Sequence, residues 1–187
     1  MSNFLTIKER YQKVAGEMQK DFKYKSVMAV PKIEKVVVNV GFGKDASSKG
    51  SDEQRKFIKG IVDDLSLICG QKPSITKAKK SISGFKLREG MPVGARLTLR
   101  KKRMNDFLDR LINVYLPRTR DFKGLDISSF DKQGNFTIGI KEQIIFPEVS
   151  AEKLKNIFGL QIIIKTTAKN REEGVELLKR LGFPIKR

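Results

Sequence analysis

The sequence predicts an α+β fold: a single two-layer domain over residues 1–187, with a sheet packed against helices on one face. Two patterns carry this expectation. Helical and extended segments are intermixed along the chain, and the extended ones alternate apolar with polar residues instead of running continuously apolar. Such alternation gives one sheet face to a core and the other to solvent, which suits an antiparallel or mixed sheet. A length of 187 residues fits one domain, and 39% hydrophobic residues are enough to build its core.

The elements follow in order. Residues 4–20 carry Ile7, Tyr11, Val14 and Met18 at helical spacing, an amphipathic first helix. Pro31 separates it from a strand over Ile33–Val40, with Val36, Val38 and Val40 on one face and Val37 and Asn39 on the other. Gly41 to Gly50, rich in Gly, Ser, Lys and Asp, reads as a loop. Ser51 and Gln54 have the spacing of a capping box for a second helix. Its stripe is Phe57, Ile58, Ile61, Val62, Leu65 and Ile68, and Gly70 stops it. The single cysteine, Cys69, falls within that apolar pattern, fits a reducing compartment and excludes an internal disulfide.

A short strand around Ile75 leads into a basic loop from Lys79 to Pro92. Beyond it, Ala95, Leu97 and Leu99 point inward, and Arg96, Thr98 and Arg100 outward. Met104, Phe107, Leu108, Leu111, Ile112 and Tyr115 mark a third helix, expected to end at Pro117. Two more strands alternate, one through Phe136, Ile138 and Ile140, the other through Leu160, Ile162 and Ile164. Asn170 and Glu173 are expected to cap a last helix with Val175, Leu178 and Leu181 inward, closed by Gly182 and Pro184.

Charge narrows the function. The chain holds 39 Lys+Arg against 21 Asp+Glu and no His, a formal net charge of +18. Such a balance favours polyanions, either nucleic acid or an anionic membrane. The charge is also clustered: Lys72 to Arg103 contains eleven basic residues and one acid, Glu89. A solvated lysine-rich surface would account for the total but not for the clustering. Cations that neutralise phosphates release condensed counterions, which drives binding and makes it sensitive to salt.

The outward strand positions point the same way. Asn39, Thr76, Arg96, Thr98, Arg100, Thr137, Lys165 and Thr167 would line an open face if the strands share one sheet. These residue types bind phosphate oxygens and ribose hydroxyls. The same face lacks aromatics, so shape-based binding of folded, double-stranded RNA is favoured over single-strand readout. In the basic loop, Phe85 stands either as an anchor folded back on the fold or as a stacking side chain.

Other functions fare poorly. Without His there is no imidazole base or imidazole metal ligand. Gly41-Phe42-Gly43 lacks the third glycine of a dinucleotide fingerprint, and no Walker-A spacing occurs. Asp63 and Asp64 are helix neighbours whose side chains diverge by about 100°, a poor arrangement for two-metal chemistry. No catalytic residue, metal site or cofactor is therefore expected. Membrane binding through the basic first helix stays open as an alternative, although its apolar face, without Trp or several Leu, is modest for an interfacial anchor. No apolar run approaches the roughly 20 residues of a membrane span, and the start lacks a signal-peptide core. A cytoplasmic location is the expectation.

Several motifs then occur in a specific order. They are Val36-Val37-Val38-Asn39-Val40-Gly41 with Gly43; Gly70-Gln71-Lys72-Pro73; and Thr76-Lys77-Ala78-Lys79-Lys80-Ser81. Next come Gly84-Phe85-Lys86 with Arg88, Gly90, Pro92 and Gly94, and Thr98-Leu99-Arg100. Pro117-Arg118 with Arg120-Asp121-Phe122 and Gly124-Leu125 follows, then Gln143-Ile144-Ile145-Phe146-Pro147-Glu148. The chain closes on Thr166-Thr167-Ala168 and Phe183-Pro184. Across nearly its whole length the sequence resembles the bacterial family of large-subunit ribosomal protein five, the 5S-rRNA-binding proteins of the central protuberance.

The resemblance implies a curved, mainly antiparallel sheet packed on helices, and a structural role in the large ribosomal subunit. It implies binding to 5S rRNA and 23S rRNA, and company with other large-subunit ribosomal proteins. It also implies a bridge to small-subunit ribosomal protein thirteen, and contact of the basic loop with P-site tRNA. Motif matching carries over Asn39, Gln71, Thr98 and Arg100 as 5S rRNA contacts, joined by their polar and basic neighbours Lys72, Thr76 and Arg96. In the tRNA loop the residues are Lys79, Lys80, Ser81, Ser83, Phe85, Lys86 and Arg88. The segment Lys44 to Ser51 is longer and more basic than the family's loop, so no contact is carried onto it.

Overall fold

A computed structural model of the chain describes residues 5–119, 122–149 and 156–186. Phe4, expected to begin the first helix, and Arg120 and Asp121 of the quoted motif lie outside the described residues. The fold is α+β, built on an open five-stranded antiparallel sheet with strand order β2-β3-β1-β5-β4. The strands are β1 (Ile33–Gly41), β2 (Ser74–Lys77), β3 (Pro92–Leu99), β4 (Phe136–Ile140) and β5 (Leu160–Thr166). By packing, the chain divides into two compact units interleaved in sequence. One comprises Met1–Val36, Leu99–Ile138 and Ile163–Arg187, the other Val37–Thr98 and Gly139–Ile162.

In the first unit, helix α1 (Ile7–Asp21) starts at a capping box that the sequence reading missed. Thr6 Oγ1 accepts from the Glu9 N–H, and Glu9 Oε2 accepts from the Thr6 N–H at 2.8 Å. Its buried face (Ile7, Val14, Ala15, Met18) packs on helices α4 (Lys101–Arg110) and α6 (Arg171–Arg180). Polar ties fix this packing. The Ile7 N–H donates to Asp109 Oδ1 at 2.9 Å, and the Arg180 guanidinium reaches Glu17, Asp21 and Glu176.

The third helix ends at Arg118, one residue past Pro117, but it is not a continuous α-helix. After α4 the chain widens into a π-helical turn, Leu111–Tyr115, and continues as α5 (Leu116–Arg118). The Leu116 N–H bonds to the Leu111 carbonyl, five residues back. Pro117 then falls in the last turn of this helical run, and Thr119 leaves it in an extended conformation. At α6, Asn170 holds the N-cap position but its side chain caps nothing; Glu173 Oε2 accepts the Lys169 N–H at 3.0 Å instead. The helix turns Gly174, Leu177 and Leu178 inward, with Leu181 just beyond its end, while Val175 is only half-buried.

In the second unit, the expected loop from Gly41 to Gly50 contains helix α2 (Gly43–Ser47). Phe42 and Ala46, both buried, are one helical turn apart, an apolar pair concealed among Gly, Ser and Lys. Helix α3 (Ser51–Cys69) begins one residue earlier than the capping-box reading required. Gly50 is its N-cap and accepts the Gln54 N–H at 2.8 Å, so Ser51 caps nothing. Phe57, Ile58, Ile61, Leu65 and Ile68 form its buried stripe with Cys69, and Gly70 stops it in the left-handed conformation at φ 65°. Gln143, wholly buried, donates to the Asn156 carbonyl at 2.6 Å and accepts the Phe158 N–H at 2.8 Å. That satisfies an amide which would otherwise be costly to bury.

Candidate nucleic-acid interface

The second unit carries most of the expected contacts. In β3, Ala95 and Leu97 are buried while Arg96 and Thr98 are exposed, as the alternation predicts. Strand β2 pairs antiparallel with β3, setting Ser74 opposite Arg96 and Thr76 opposite Gly94. Thr76 therefore shares the outward face with Arg96. A Cβ on Gly94 would stand 2.9 Å from Thr76 Oγ1 and 2.7 Å from the Val40 carbonyl, so only glycine allows the hydroxyl to lie across β3 there. Asn39 is half-buried on β1, and Lys72 is exposed just past α3. Gln71 donates from Nε2 to the Thr98 carbonyl at 3.3 Å, which ties the end of α3 to β3. Ser74 was missed; only strand pairing brings it opposite Arg96.

The basic loop between β2 and β3 also lies in this unit and is a closed hairpin. Ala78 and Met91 continue the ladder through an N–H···O bond of 2.8 Å. Further out, Ile82 and Leu87 exchange both backbone bonds, at 3.0 and 3.1 Å, around a 3₁₀ turn over Ser83–Phe85. Lys79, Lys80, Ser81, Ser83, Lys86 and Arg88 are exposed, and Phe85 is 70% exposed, so the folded-back anchor is not what forms.

In the first unit, Arg100 follows β3 as the N-cap of α4 and leads the basic run Lys101, Lys102 and Arg103. That helix has no acid in its first turn. Cations there oppose the helix dipole, a local cost that a bound phosphate would offset. Arg100 is ion-paired: Glu34 receives Arg100 at 3.7 Å on one carboxylate oxygen and Lys165 at 3.4 Å on the other. Sequence reading missed Glu34, because nothing local marks an acid on β1 as the partner of cations some 66 and 131 residues later in the chain.

Asp63 and Asp64 line an open groove of about 600 Å³ along α3, together with Lys49, Lys56, Lys59 and Asn156. Burial, and then the neighbouring Asp63, push the Asp64 carboxyl above its ordinary range. Among the described residues no group of His, Cys, Asp and Glu could hold a metal ion, and no helix is long and apolar enough to cross a membrane.

Residues 26–88 match the family model described as ribosomal protein L5, and residues 92–185 match that of the ribosomal L5P family C-terminus. The chain belongs to the ribosomal protein L5 family. It is 52% identical over 181 residues to large ribosomal subunit protein uL5 of Geotalea uraniireducens, covering 96% of this chain and 98% of the relative. The uL5 protein of Lacticaseibacillus casei is 53% identical over 180 residues, covering 96% and 97%. That of Desulfatibacillum aliphaticivorans is 50% identical over 183 residues, covering 97% and 99%. As an L5 protein the chain is a structural, rRNA-binding constituent of the large ribosomal subunit and not an enzyme. Its place is the ribosome, a cytoplasmic particle in bacteria, among rRNA and other large-subunit proteins.

Proposed function

We propose that this L5 protein, acting as one domain, binds 5S rRNA and attaches it to the large subunit in the central protuberance. The contacts are Asn39, Gln71, Lys72, Thr76, Arg96, Thr98 and Arg100. The observation that carries the reading is β3, which buries Ala95, Leu97 and Leu99 completely or nearly so while leaving Arg96 and Thr98 in solvent. Those outward side chains add little to the core and are of the types that hold phosphate and ribose.

The basic loop, through Lys79, Lys80, Ser81, Ser83, Phe85, Lys86 and Arg88, contacts P-site tRNA. Its closed hairpin and exposed cations suit a polyanion reached after the protein is fixed elsewhere. Contact with 23S rRNA and a bridge to small-subunit ribosomal protein thirteen rest on the resemblance alone.

The test is titration of purified protein with 5S rRNA across a salt series, with and without Mg²⁺. Affinity should fall with a log–log slope of about −0.7 to −0.9 per phosphate contact, and the RNA should stay intact. Salt-independent binding, or stronger binding to anionic vesicles, overturns the reading. Neutralising Lys79, Lys80, Lys86 and Arg88 together should spare 5S rRNA binding and weaken tRNA retention in assembled ribosomes. Loss of 5S rRNA binding by that variant, or unchanged tRNA retention, sinks the tRNA assignment.

A further inference from the structure

We infer that Phe85 is a stacking platform for one unpaired nucleobase of the RNA that the basic loop meets, a role separate from the loop's charge. The inference rests on the proposed reading of that loop as an RNA-contacting element. Phe85 is 70% exposed, and among the described residues it is the one aromatic side chain in the exposed class.

The backbone keeps it there. The Phe85 N–H donates to the Ile82 carbonyl at 3.3 Å, and the Lys86 N–H to the Ser83 carbonyl at 2.9 Å. Lys86 itself turns the chain in the left-handed conformation, φ 52°. Below the turn, the paired Ile82–Leu87 bonds and the Glu89 N–H to Ser81 Oγ bond of 2.9 Å brace both arms. The ring is thus presented by a formed turn, and less ordering entropy is lost when something covers it.

The surroundings say what covers it. Lys79, Lys80, Lys86 and Arg88 are all exposed around the tip, and Glu89 is the only acid between Lys72 and Arg103. This collar repels cationic protein surfaces and draws in phosphates. A flat apolar ring among phosphates meets the face of a base, and every base has such a face whatever the sequence. A double helix keeps its base faces covered, so the partner is an unpaired nucleotide in a loop, bulge or end.

Charge and stacking separate experimentally. The chain contains no Trp, so F85W places its one tryptophan at the tip, read as the emission difference between F85W and wild-type ribosomes. Large subunits carrying the wild-type protein, F85W, F85L or the four-cation neutralised loop are assembled into ribosomes and loaded with P-site tRNA. F85L should lose about 5- to 150-fold in retention, the range for removing one aromatic–base stack, with its salt slope unchanged. F85W should retain tRNA, with its emission quenched on loading, while the neutralised loop should flatten the salt slope. Wild-type retention by F85L, loss by F85W as large as by F85L, or F85W emission that shifts to the blue without quenching overturns the stacking role. If the neutralised loop still weakens retention, that failure leaves the tRNA reading intact. If neither F85L nor the neutralised loop changes retention, both fall together.

Discussion

Gly174 of α6 lies so close to Gly134 that a Cβ on Gly174 would stand 2.5 Å from the Gly134 carbonyl oxygen and 2.6 Å from its Cα. Gly134 closes the turn before β4 at φ 73°, and its carbonyl accepts the buried Thr166 hydroxyl at 2.9 Å. The close approach is therefore backbone against backbone, where no flexible side chain can give way. Gly→Ala inside a helix ordinarily gains up to about 1 kcal/mol. Gly174→Ala should instead cost about 1–3 kcal/mol, the usual range for overpacking. Gly16 of α1 has nothing within 4 Å of its added Cβ, so Gly16→Ala should gain about 0.5–1 kcal/mol. Urea denaturation of the pair checks this; a Gly174→Ala variant as stable as Gly16→Ala would contradict the contact.

Glu34 gives a prediction of opposite flavour. Its carboxylate sits between Arg100 and Lys165, with all three side chains more than a third exposed, so the pairs themselves stabilise the fold little. Their effect falls on binding, because a phosphate must compete with Glu34 for Arg100. Glu34→Gln should change thermal stability by under about 1 kcal/mol and raise affinity for 5S rRNA, most at low salt. Weaker 5S rRNA binding by this variant would mean that Glu34 positions Arg100 for its RNA contact.

The faces of β3 are separable by two substitutions. Leu99 is completely buried and Thr98 exposed. Leu99→Ala should cost about 2–5 kcal/mol through lost burial and a cavity, visible as a lower urea midpoint. Thr98→Ala should leave that midpoint nearly unchanged and weaken 5S rRNA binding. The reverse pattern would show that the outward residue is the structural one.

The same strand shows why part of this molecule is legible in its sequence. Period-two alternation is local, so Ala95 to Arg100 disclose their faces without any partner being known, and Phe57 to Ile68 do so for a helix. What was misread depends on competition between local signals. Ser51 lost the N-cap to Gly50 because the first helical bond, from Gln54, anchors on the Gly50 carbonyl. Pro117 marked the end of its helix to within one residue, but the π turn ahead of it, set by the Leu116 N–H reaching the Leu111 carbonyl, had no local signal. The cationic loop was legible as a candidate site from composition, but the Ile82–Leu87 pairing that exposes Phe85 was not. Glu34 and Ser74 were invisible for a different reason: their significance arises only from strand order and register.

Asp131 provides a pH-dependent prediction in the turn that leads into β4. Burial pushes its carboxyl upward, but hydrogen bonds from the Asn135 side chain, the Asn135 N–H and the Gln133 N–H outweigh that and hold it below the ordinary range. Its Oδ1 accepts from Gln133 at 2.9 Å and from Asn135 at 2.8 Å, and Oδ2 accepts from the Asn135 amide at 2.7 Å. A carboxyl with a depressed folded pKa stabilises above its unfolded value of about 3.9, and that contribution is lost as pH falls through the folded value. The turn is solvent-exposed, so the contribution is about 1 kcal/mol after screening. Asp109 and Asp64 are raised, chiefly by burial, and act with the opposite sign, so the whole-protein curve mixes the effects. The difference between wild type and Asp131→Asn isolates the turn. That substitution keeps one acceptor oxygen but no charge. It should lower stability by about 1 kcal/mol at pH 7, and the gap to wild type should begin to close as pH falls below the ordinary aspartate value of about 3.9 and vanish once pH has passed through the depressed folded value. A gap that stays constant from pH 7 through the whole acid titration of the carboxyl would mean that Asp131 acts through the shape of its side chain, and that its charge contributes nothing to the turn.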